Sequence, residues 1–221
     1  PIASGEVSII SSLALMAALL GSSSTMMLLL GKGELLLLLI SYFMLNIIYS
    51  TFLKTIVVID VIILSIFYTM RIVAGSTSSE INLSIWLFVF SIFIFTSLGF
   101  LKRHSSLVLK GKEGGSLLLG RGYSPDDLMV VSSMGAASGM LSALVVSLYI
   151  DSETANVNFQ SQEFLWGIPI VIIYWMSRFW ILSGRGAIPD DPVSYAATDR
   201  VTWMVSLLCL ILIFLARGVE I

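Results

Sequence analysis

The stretch INLSIWLFVFSIFIFTSLGFL, residues 81–101, contains no charged residue and is followed directly by Lys102 and Arg103. A helix that crosses a bilayer needs roughly 20 mainly apolar residues, so this stretch predicts a spanning helix. Six further runs have comparable length: four without charge, 7–31, 35–53, 128–150 and 201–216, and two interrupted only by Asp60, Arg71 and Arg178, 55–74 and 164–184. The sequence therefore predicts an all-α, polytopic transmembrane bundle of about seven spans, in a single domain over residues 1–221.

The composition supports a membrane protein and argues against a soluble one. Hydrophobic residues make up 57% of the chain and charged residues 12%, whereas charged residues are roughly 25% of soluble domains. The single cysteine, Cys209, permits no disulfide within the chain. The basic residues are spread over short loops beside the spans, which argues against a nucleic-acid partner and leaves membrane lipid as the expected surroundings.

The basic residues are distributed unevenly between the two sides of the predicted bundle. Eight of the twelve lie in three alternate loops, near 50–54, 101–127 and 184–200, and the connection 151–162 has acidic residues but no base. Cytoplasmic loops of membrane proteins carry an excess of Lys and Arg. We therefore expect an integral protein of a bacterial or archaeal plasma membrane, with the N-terminus of this chain cytoplasmic and the C-terminus outside.

Several of these residues are candidates for binding phosphate. Tyr49 and Lys54 stand at a cytoplasmic membrane edge, where a phenol and an ammonium can hold a phosphate by hydrogen bond and point charge. The expected polyanion-binding surface also includes basic residues of the other two loops and the neighbouring spans: Lys102, Arg103, Arg121, Arg178 and Arg185. The alternative for any one of them is that it obeys the topology rule and contacts lipid headgroups.

Acidic residues supply candidates for a metal site. Asp60 lies inside a span, where an ionisable group needs a partner, a metal or water. Asp190, Asp191 and Asp199 in the last cytoplasmic loop are hard oxygen ligands suited to Mg²⁺ that bridges phosphates. Helix-capping and turn chemistry is the alternative for these three residues.

Two other residues have less specific interpretations. Arg71 also belongs to the residues expected to bind substrate or phosphate. It follows Asp60 by eleven residues, about 16 Å of helical rise, so the two cannot pair, and snorkelling toward the outer surface is the alternative role for Arg71. His104 is the only histidine. With no cysteine or second histidine near it, neither a zinc site nor a hydrolase triad is expected there.

A set of short motifs resembles the UbiA superfamily of intramembrane prenyltransferases. The motifs are Pro1-Ile-Ala-Ser-Gly, Tyr49-Ser-x-x-Leu-Lys54 followed by Asp60, Met70-Arg-Ile-Val-Ala-Gly75, Gly99-Phe-Leu-Lys-Arg103, Arg121-Gly-Tyr123, Ser177-Arg-Phe-Trp-Ile-Leu and the run from Asp190 to Arg200. Within that superfamily the chain is nearest to the decaprenyl-phosphate phosphoribosyltransferase-like branch, including members fused to a haloacid-dehalogenase-like domain.

The resemblance implies a ring of about nine helices, of which this chain corresponds to the last seven. It implies a cytoplasmic polar site, Mg²⁺ as cofactor and two substrates, a polyprenyl compound and a diphosphate-bearing small molecule. Tyr123, in the Arg121-Gly-Tyr123 motif, joins the expected substrate-binding residues. The chain opens on Pro1 and lacks the family's first Asp-rich motif, so we expect sequence upstream and no activity from this piece alone.

The expected function is transfer at the cytoplasmic face between a polyprenyl substrate and a diphosphate-bearing donor, such as 5-phosphoribosyl transfer to polyprenyl phosphate. One alternative is aromatic prenylation of the quinone or haem type. Another is a transporter or lipid-binding membrane protein without catalysis, although transporters usually place their polar site at the bilayer midplane.

Overall fold

A computed structural model describes residues 8–29, 33–112, 121–189 and 191–218. These residues form α-helices and short 3-10 turns, with no strand among them. The helices are α1 (Ile9–Leu29), α2 (Gly33–Thr51), α3 (Ile59–Ser79), α4 (Ile85–Lys112), α5 (Leu128–Ile150), α6 (Glu153–Asn158), α7 (Gly167–Gly184), α8 (Pro192–Thr198) and α9 (Arg200–Arg217).

Seven of the helices in the described residues are long and apolar enough to cross a membrane: α1 to α5, α7 and α9, with α5 and α7 each counted together with the 3-10 turn that precedes it. The expected all-helical class and the seven spans are confirmed, and the chain is an integral membrane protein. The short α6 lies in the expected outer connection, and α8 lies in the last predicted cytoplasmic loop.

The end of α4 differs from the expectation. The sequence predicted a loop from residue 101 onward, but α4 continues to Lys112 and is 28 residues long. At 1.5 Å per residue this helix measures about 42 Å, so it can extend beyond a hydrocarbon core of about 30 Å. Lys102 and Arg103 therefore lie on a rigid helix and not in a flexible loop. Arg103, His104 and Ser105 are buried against other protein groups, which is why polar residues can continue the helix here.

The chain divides into two compact units. The first comprises residues 1–48 and 70–82, and the second comprises residues 49–69 and 83–221. In the first unit, α1 has no buried residue, and Arg71 donates a hydrogen bond from Nη2 to the Tyr42 hydroxyl at 3.1 Å.

The second unit contains the core that surrounds the polar groups. In it α4 packs against α5, α7 and α8, and α7 packs against α9. One apolar cluster is centred on Val61, Phe100, Leu107, Tyr123 and Val131. A second cluster joins α4 to α7 and to the residues before α8.

Gly99 sets the distance between α3 and α4 in this unit. A Cβ at this position would lie 2.9 Å from Cγ1 of Val61, closer than a stiff β-branched side chain can accept. Small residues allow such close approach of spanning helices. Val61 follows Asp60 in α3, and Arg103 lies one helical turn after Gly99 in α4. The close contact therefore brings Asp60 and Arg103 within reach of each other.

Candidate anion site at Asp60

The centre of the candidate site is a buried ion pair between α3 and α4. Asp60 lies in the first turn of α3 and is fully buried. Its Oδ2 accepts a hydrogen bond from Nε of Arg103 at 2.5 Å, and the Arg103 side chain is 3% exposed.

A second guanidinium shares the same carboxylate. Nη1 of Arg121 lies 3.6 Å from Oδ2 of Asp60 and donates a hydrogen bond to the Tyr49 hydroxyl at 3.0 Å. Arg121 precedes α5 in sequence, and Tyr49 lies near the end of α2. The hydrogen bond between Arg121 and Tyr49 therefore connects segments that are 72 residues apart along the chain.

Tyr123 completes the arrangement. Its hydroxyl donates to Oδ1 of Asp60 at 2.7 Å and accepts the backbone N–H of Val58 at 2.8 Å. Burial, together with the hydrogen bond to Asp60, raises the pKa of Tyr123 above its ordinary value, so the phenol stays protonated. We call Tyr49, Asp60, Arg103, Arg121 and Tyr123 the Asp60 cluster.

The backbone next to the Asp60 cluster is strained. Val58 has φ of 69°, and a β-branched residue in the left-handed region is a genuine outlier. Such strain costs on the order of 1–3 kcal/mol and occurs most often at functional sites. The hydrogen bond from Val58 to Tyr123 holds this conformation two residues before Asp60.

A glycine allows the loop that carries Arg121 and Tyr123 to reach this position. A Cβ at Gly122 would lie 2.7 Å from the backbone oxygen of Thr55. That oxygen belongs to the turn Leu53–Thr55, which precedes α3. Only a residue without a side chain lets the backbones at Gly122 and Thr55 approach this closely. Gly122 therefore allows its neighbours, Arg121 and Tyr123, to reach Asp60.

Two guanidinium groups therefore share one carboxylate, and one positive charge in the Asp60 cluster has no opposite charge within it. Among the described residues, Nη2 of Arg103 is also buried without a hydrogen-bond partner. An unpaired buried donor costs about 1–3 kcal/mol. Excess positive charge and a vacant N–H donor are the features that an anionic oxygen would satisfy.

Other predicted site residues form ion pairs at the helix ends near α8 and α9. Lys102 Nζ lies 3.2 Å from Oδ1 of Asp191, with the two side chains 35% and 39% exposed. Asp191 also caps α8 by accepting the backbone N–H of Ser194 at 3.2 Å. Burial alone would raise the pKa of Asp191, but hydrogen bonds from Ser194 and Lys102 outweigh burial and lower it.

Arg178 and Asp199 form the second of these pairs. Nη1 and Nη2 of Arg178 donate to the two carboxylate oxygens at 2.7 and 3.0 Å. Asp199 also caps α9 by accepting the N–H of Thr202 at 3.0 Å. Burial opposes ionisation of Asp199, but the hydrogen bonds from Arg178 and Thr202 outweigh it, so its pKa lies below the ordinary value. We call Lys102–Asp191 and Arg178–Asp199 the cap pairs.

The donor set does not fit the expected magnesium ion. Mg²⁺ is usually held by one or two carboxylates together with substrate phosphates and water, but Asp60, Asp191 and Asp199 each already pair with a cationic side chain. Within the described ranges, no three His, Cys, Asp or Glu residues come together as a metal site. Asp190 lies outside the described residues. Capping and pairing, the alternative role for Asp191 and Asp199, is what the structure shows for both.

The remaining predicted residues lie elsewhere. Lys54 is half-buried in the turn before α3, six residues from Asp60. Arg185 is exposed in the turn after α7. Arg71 belongs to the first unit, where it contacts Tyr42. The basic residues that were expected to share one surface thus lie in the Asp60 cluster, in the two cap pairs or at other positions of the chain.

A buried polar contact between α4 and α7 was not expected. Nδ1 of His104 lies 2.6 Å from Oγ of Ser183, which lies 2.9 Å from Oγ of Ser105. All three residues are buried, and the His104 and Trp180 rings form a T-shaped pair with centroids 5.5 Å apart. The contact joins the two helices. The role of Val58 was also missed, because a backbone N–H that binds a distant tyrosine leaves no sequence signal.

Comparison with known proteins identifies relatives but no reaction. The chain is 29% identical over 208 residues to the uncharacterized protein y4nM of Sinorhizobium fredii, covering 94% of the chain and 40% of that protein. It is 30% identical over 159 residues to the nodulation protein NoeC of Azorhizobium caulinodans, covering 72% of the chain and 52% of NoeC. No protein-family model matches the chain. The chain is thus similar along most of its length to parts of two longer proteins, and spans about two fifths of one and half of the other.

Proposed function

We propose that the chain forms part of a membrane transferase of the UbiA type, acting at the cytoplasmic face on a polyprenyl substrate and a diphosphate-bearing donor. The Asp60 cluster carries the proposal, because it combines two guanidinium groups with two phenol groups. Arg is well suited to phosphate because its fork of N–H donors matches the phosphate oxygens. The transferase class itself rests on the motif resemblance to the superfamily. One relative is named for nodulation, and that name identifies no reaction.

The preferred reaction is 5-phosphoribosyl transfer to a polyprenyl phosphate. An oxygen of the acceptor phosphate forms a bond to the anomeric carbon of the donor, and the bond from that carbon to the diphosphate oxygen breaks. Diphosphate leaves with the bonding electrons. Preorganised cationic donors would stabilise the charge that develops on the leaving group. Arg103 and Arg121 are the residues that would take that role.

A transfer assay tests this function and separates it from its alternatives. Membranes containing the natural full-length protein are supplied with 5-phosphoribosyl diphosphate labelled in the ribose and with a polyprenyl phosphate. The expected product is a labelled lipid that carries phosphoribose. Label transfer to a phenolic acceptor, from a labelled polyprenyl diphosphate, would instead indicate aromatic prenylation. Absence of both products would favour a transporter or lipid-binding protein.

The cytoplasmic position of the site belongs to the same proposal and can be tested separately. In a Cys209→Ser background, single cysteines at Ala187 and Asn156, both exposed, should react with an impermeant maleimide from opposite sides. The Ala187 position should be labelled only from the cytoplasm, because the basic loops lie there. Labelling of both positions from one side would contradict the orientation.

A further inference from the structure

We propose that the Asp60 cluster is a metal-independent binding site for a phosphate group, in which Nη2 of Arg103 is the vacant donor. The inference rests on the proposed function for its substrate class, a phosphate or diphosphate ester. It departs from the cofactor that the sequence predicted. A phosphate in this site is held by fixed guanidinium and phenol groups, with no divalent cation between carboxylate and phosphate.

The charges of the cluster are the first argument. Arg103 and Arg121 both approach Oδ2 of Asp60, at 2.5 and 3.6 Å. One carboxylate cannot neutralise two guanidinium groups, so the cluster is cationic before any ligand arrives. A cationic site attracts a phosphate directly, whereas a magnesium-bridged site would need one or two carboxylates available to the metal, and Asp60 is already paired with two guanidinium groups.

The vacant hydrogen-bond donor is the second argument. Arg103 uses Nε for Asp60, and its Nη2 is buried with no partner in the described residues. Buried polar groups are nearly always hydrogen-bonded, and an exception calls for an explanation. An anionic oxygen would complete the set, because charge-assisted bonds to guanidinium are among the strongest in proteins.

The rigidity of the donors is the third argument. Arg103 is fixed by Asp60, and Asp60 by Tyr123, which also holds the strained Val58 backbone. Arg121 is fixed by Tyr49. Donors held in place before the ligand arrives lose little conformational entropy on binding. Asp60 acts as a positioning residue: its carboxylate orients the guanidinium groups and does not ligate a metal.

The test measures binding of inorganic pyrophosphate to the purified protein in phosphatidylcholine nanodiscs by calorimetry, once with EDTA and once with Mg²⁺. We expect binding with EDTA, at an affinity close to that measured with Mg²⁺. The Arg103→Lys variant keeps the charge beside Asp60 but loses the vacant donor, so affinity should fall about tenfold or more. The matched control is Arg217→Lys, an exposed position at the end of α9, which should bind like the wild type.

A second arm distinguishes free phosphate compounds from lipid headgroups. Nanodiscs that contain a polyprenyl phosphate should show weaker pyrophosphate binding if a lipid phosphate occupies the site. Unchanged binding would identify a soluble phosphate compound as the ligand of the same site. Either result supports the site, provided that Arg103→Lys removes the binding.

Two outcomes would overturn the inference: wild-type binding that requires Mg²⁺, or an Arg103→Lys variant that is folded and binds as tightly as the wild type. The wild-type comparison with EDTA needs no variant, so poor folding of a variant cannot obscure the answer. Metal-independent binding without transfer activity would refute the proposed function and leave this site standing. Transfer activity with strictly Mg²⁺-dependent pyrophosphate binding would support the proposed function and refute the metal-independent site.

Discussion

The Asp60 cluster and the Lys102–Asp191 pair both join a carboxylate to basic side chains, but in opposite surroundings. Asp60 and Arg103 are 0% and 3% exposed, whereas the side chains of Lys102 and Asp191 are 35% and 39% exposed. Removing one partner of a buried pair leaves an uncompensated charge in a low-dielectric environment, while an exposed pair is solvated in any case. Neighbouring positions on α4, Lys102 and Arg103, should therefore differ greatly in their importance.

The largest effect is expected for Asp60→Asn. The substitution keeps the shape of the side chain but leaves Arg103 buried without its counter-charge. The free energy of unfolding should fall by about 3–5 kcal/mol, measured by titration with sodium dodecyl sulfate in mixed micelles. Adding Arg103→Gln to Asp60→Asn should recover part of the loss, since it removes the unpaired charge. A loss below about 1 kcal/mol for Asp60→Asn would mean that the buried pair stabilises the protein no more than an exposed pair does.

Tyr123→Phe should have the next largest effect. It removes the hydroxyl that binds Asp60 and the Val58 N–H, and so leaves a buried carboxylate oxygen and a part-buried N–H on a strained backbone without this partner. We expect a loss of about 2–3 kcal/mol, in the same unfolding titration. Tyr195→Phe is the control, because its ring packs against Phe179 and the change keeps the ring. Equal losses in the two variants would contradict a specific role for the Tyr123 hydroxyl.

Asp199→Ala should have an intermediate and pH-dependent effect. It removes the cap of α9 and the bidentate pair with Arg178, at a cost of about 1–2 kcal/mol at neutral pH. The pKa of Asp199 in the folded protein lies below the ordinary value of 3.8. The stabilisation is therefore present above that pH and is lost as the pH falls through the lower folded-state pKa.

Unfolding titrations of the wild type and Asp199→Ala over a range of acidic pH values test this dependence. The difference between the two proteins should be constant from neutral pH down to about the ordinary carboxyl pKa and should shrink below it. A difference that grows with acidity would show that the folded-state pKa is raised.

Lys102→Gln should have the smallest effect on stability. Its pair with Asp191 is partly exposed, and exposed pairs are worth about 0–1 kcal/mol. Asp191 keeps its capping bond to Ser194 without Lys102. A loss of 3 kcal/mol or more, on the scale of a broken buried pair, would contradict the expected difference in stability between variants of Lys102 and variants of Arg103.

Much of the fold could be predicted because it depends on local sequence properties. Long uncharged runs imply spanning helices, since no backbone polar group can remain unpaired in hydrocarbon. The exception, the extension of α4 to Lys112, depends on partners that lie far away along the chain. A sequence window that contains Lys102, Arg103 and His104 resembles a loop until Asp60 and Ser183 supply the contacts that allow these residues to be buried.

For the candidate site, the sequence indicated which residues take part but not how they are arranged. Tyr49, Asp60, Arg103 and Arg121 stood out as polar or ionisable groups in or beside the spans, and Tyr123 stood out only through the Arg121-Gly-Tyr123 motif. Which of these residues pair with each other could not be predicted. Asp60 was expected among metal ligands, whereas in the structure it pairs with two guanidinium groups.

The sequence by itself determined the class of this protein, its seven apolar helices and the polar residues that need an explanation, because hydrophobic length and charge can be read at each position without knowledge of distant ones. Only the tertiary structure decided which charges meet. The close contact of Gly99 with Val61 and of Gly122 with Thr55 places Arg103 and Tyr123 on Asp60. Pairing energies depend on distance and burial, and both are properties of the packed helices and not of any segment alone.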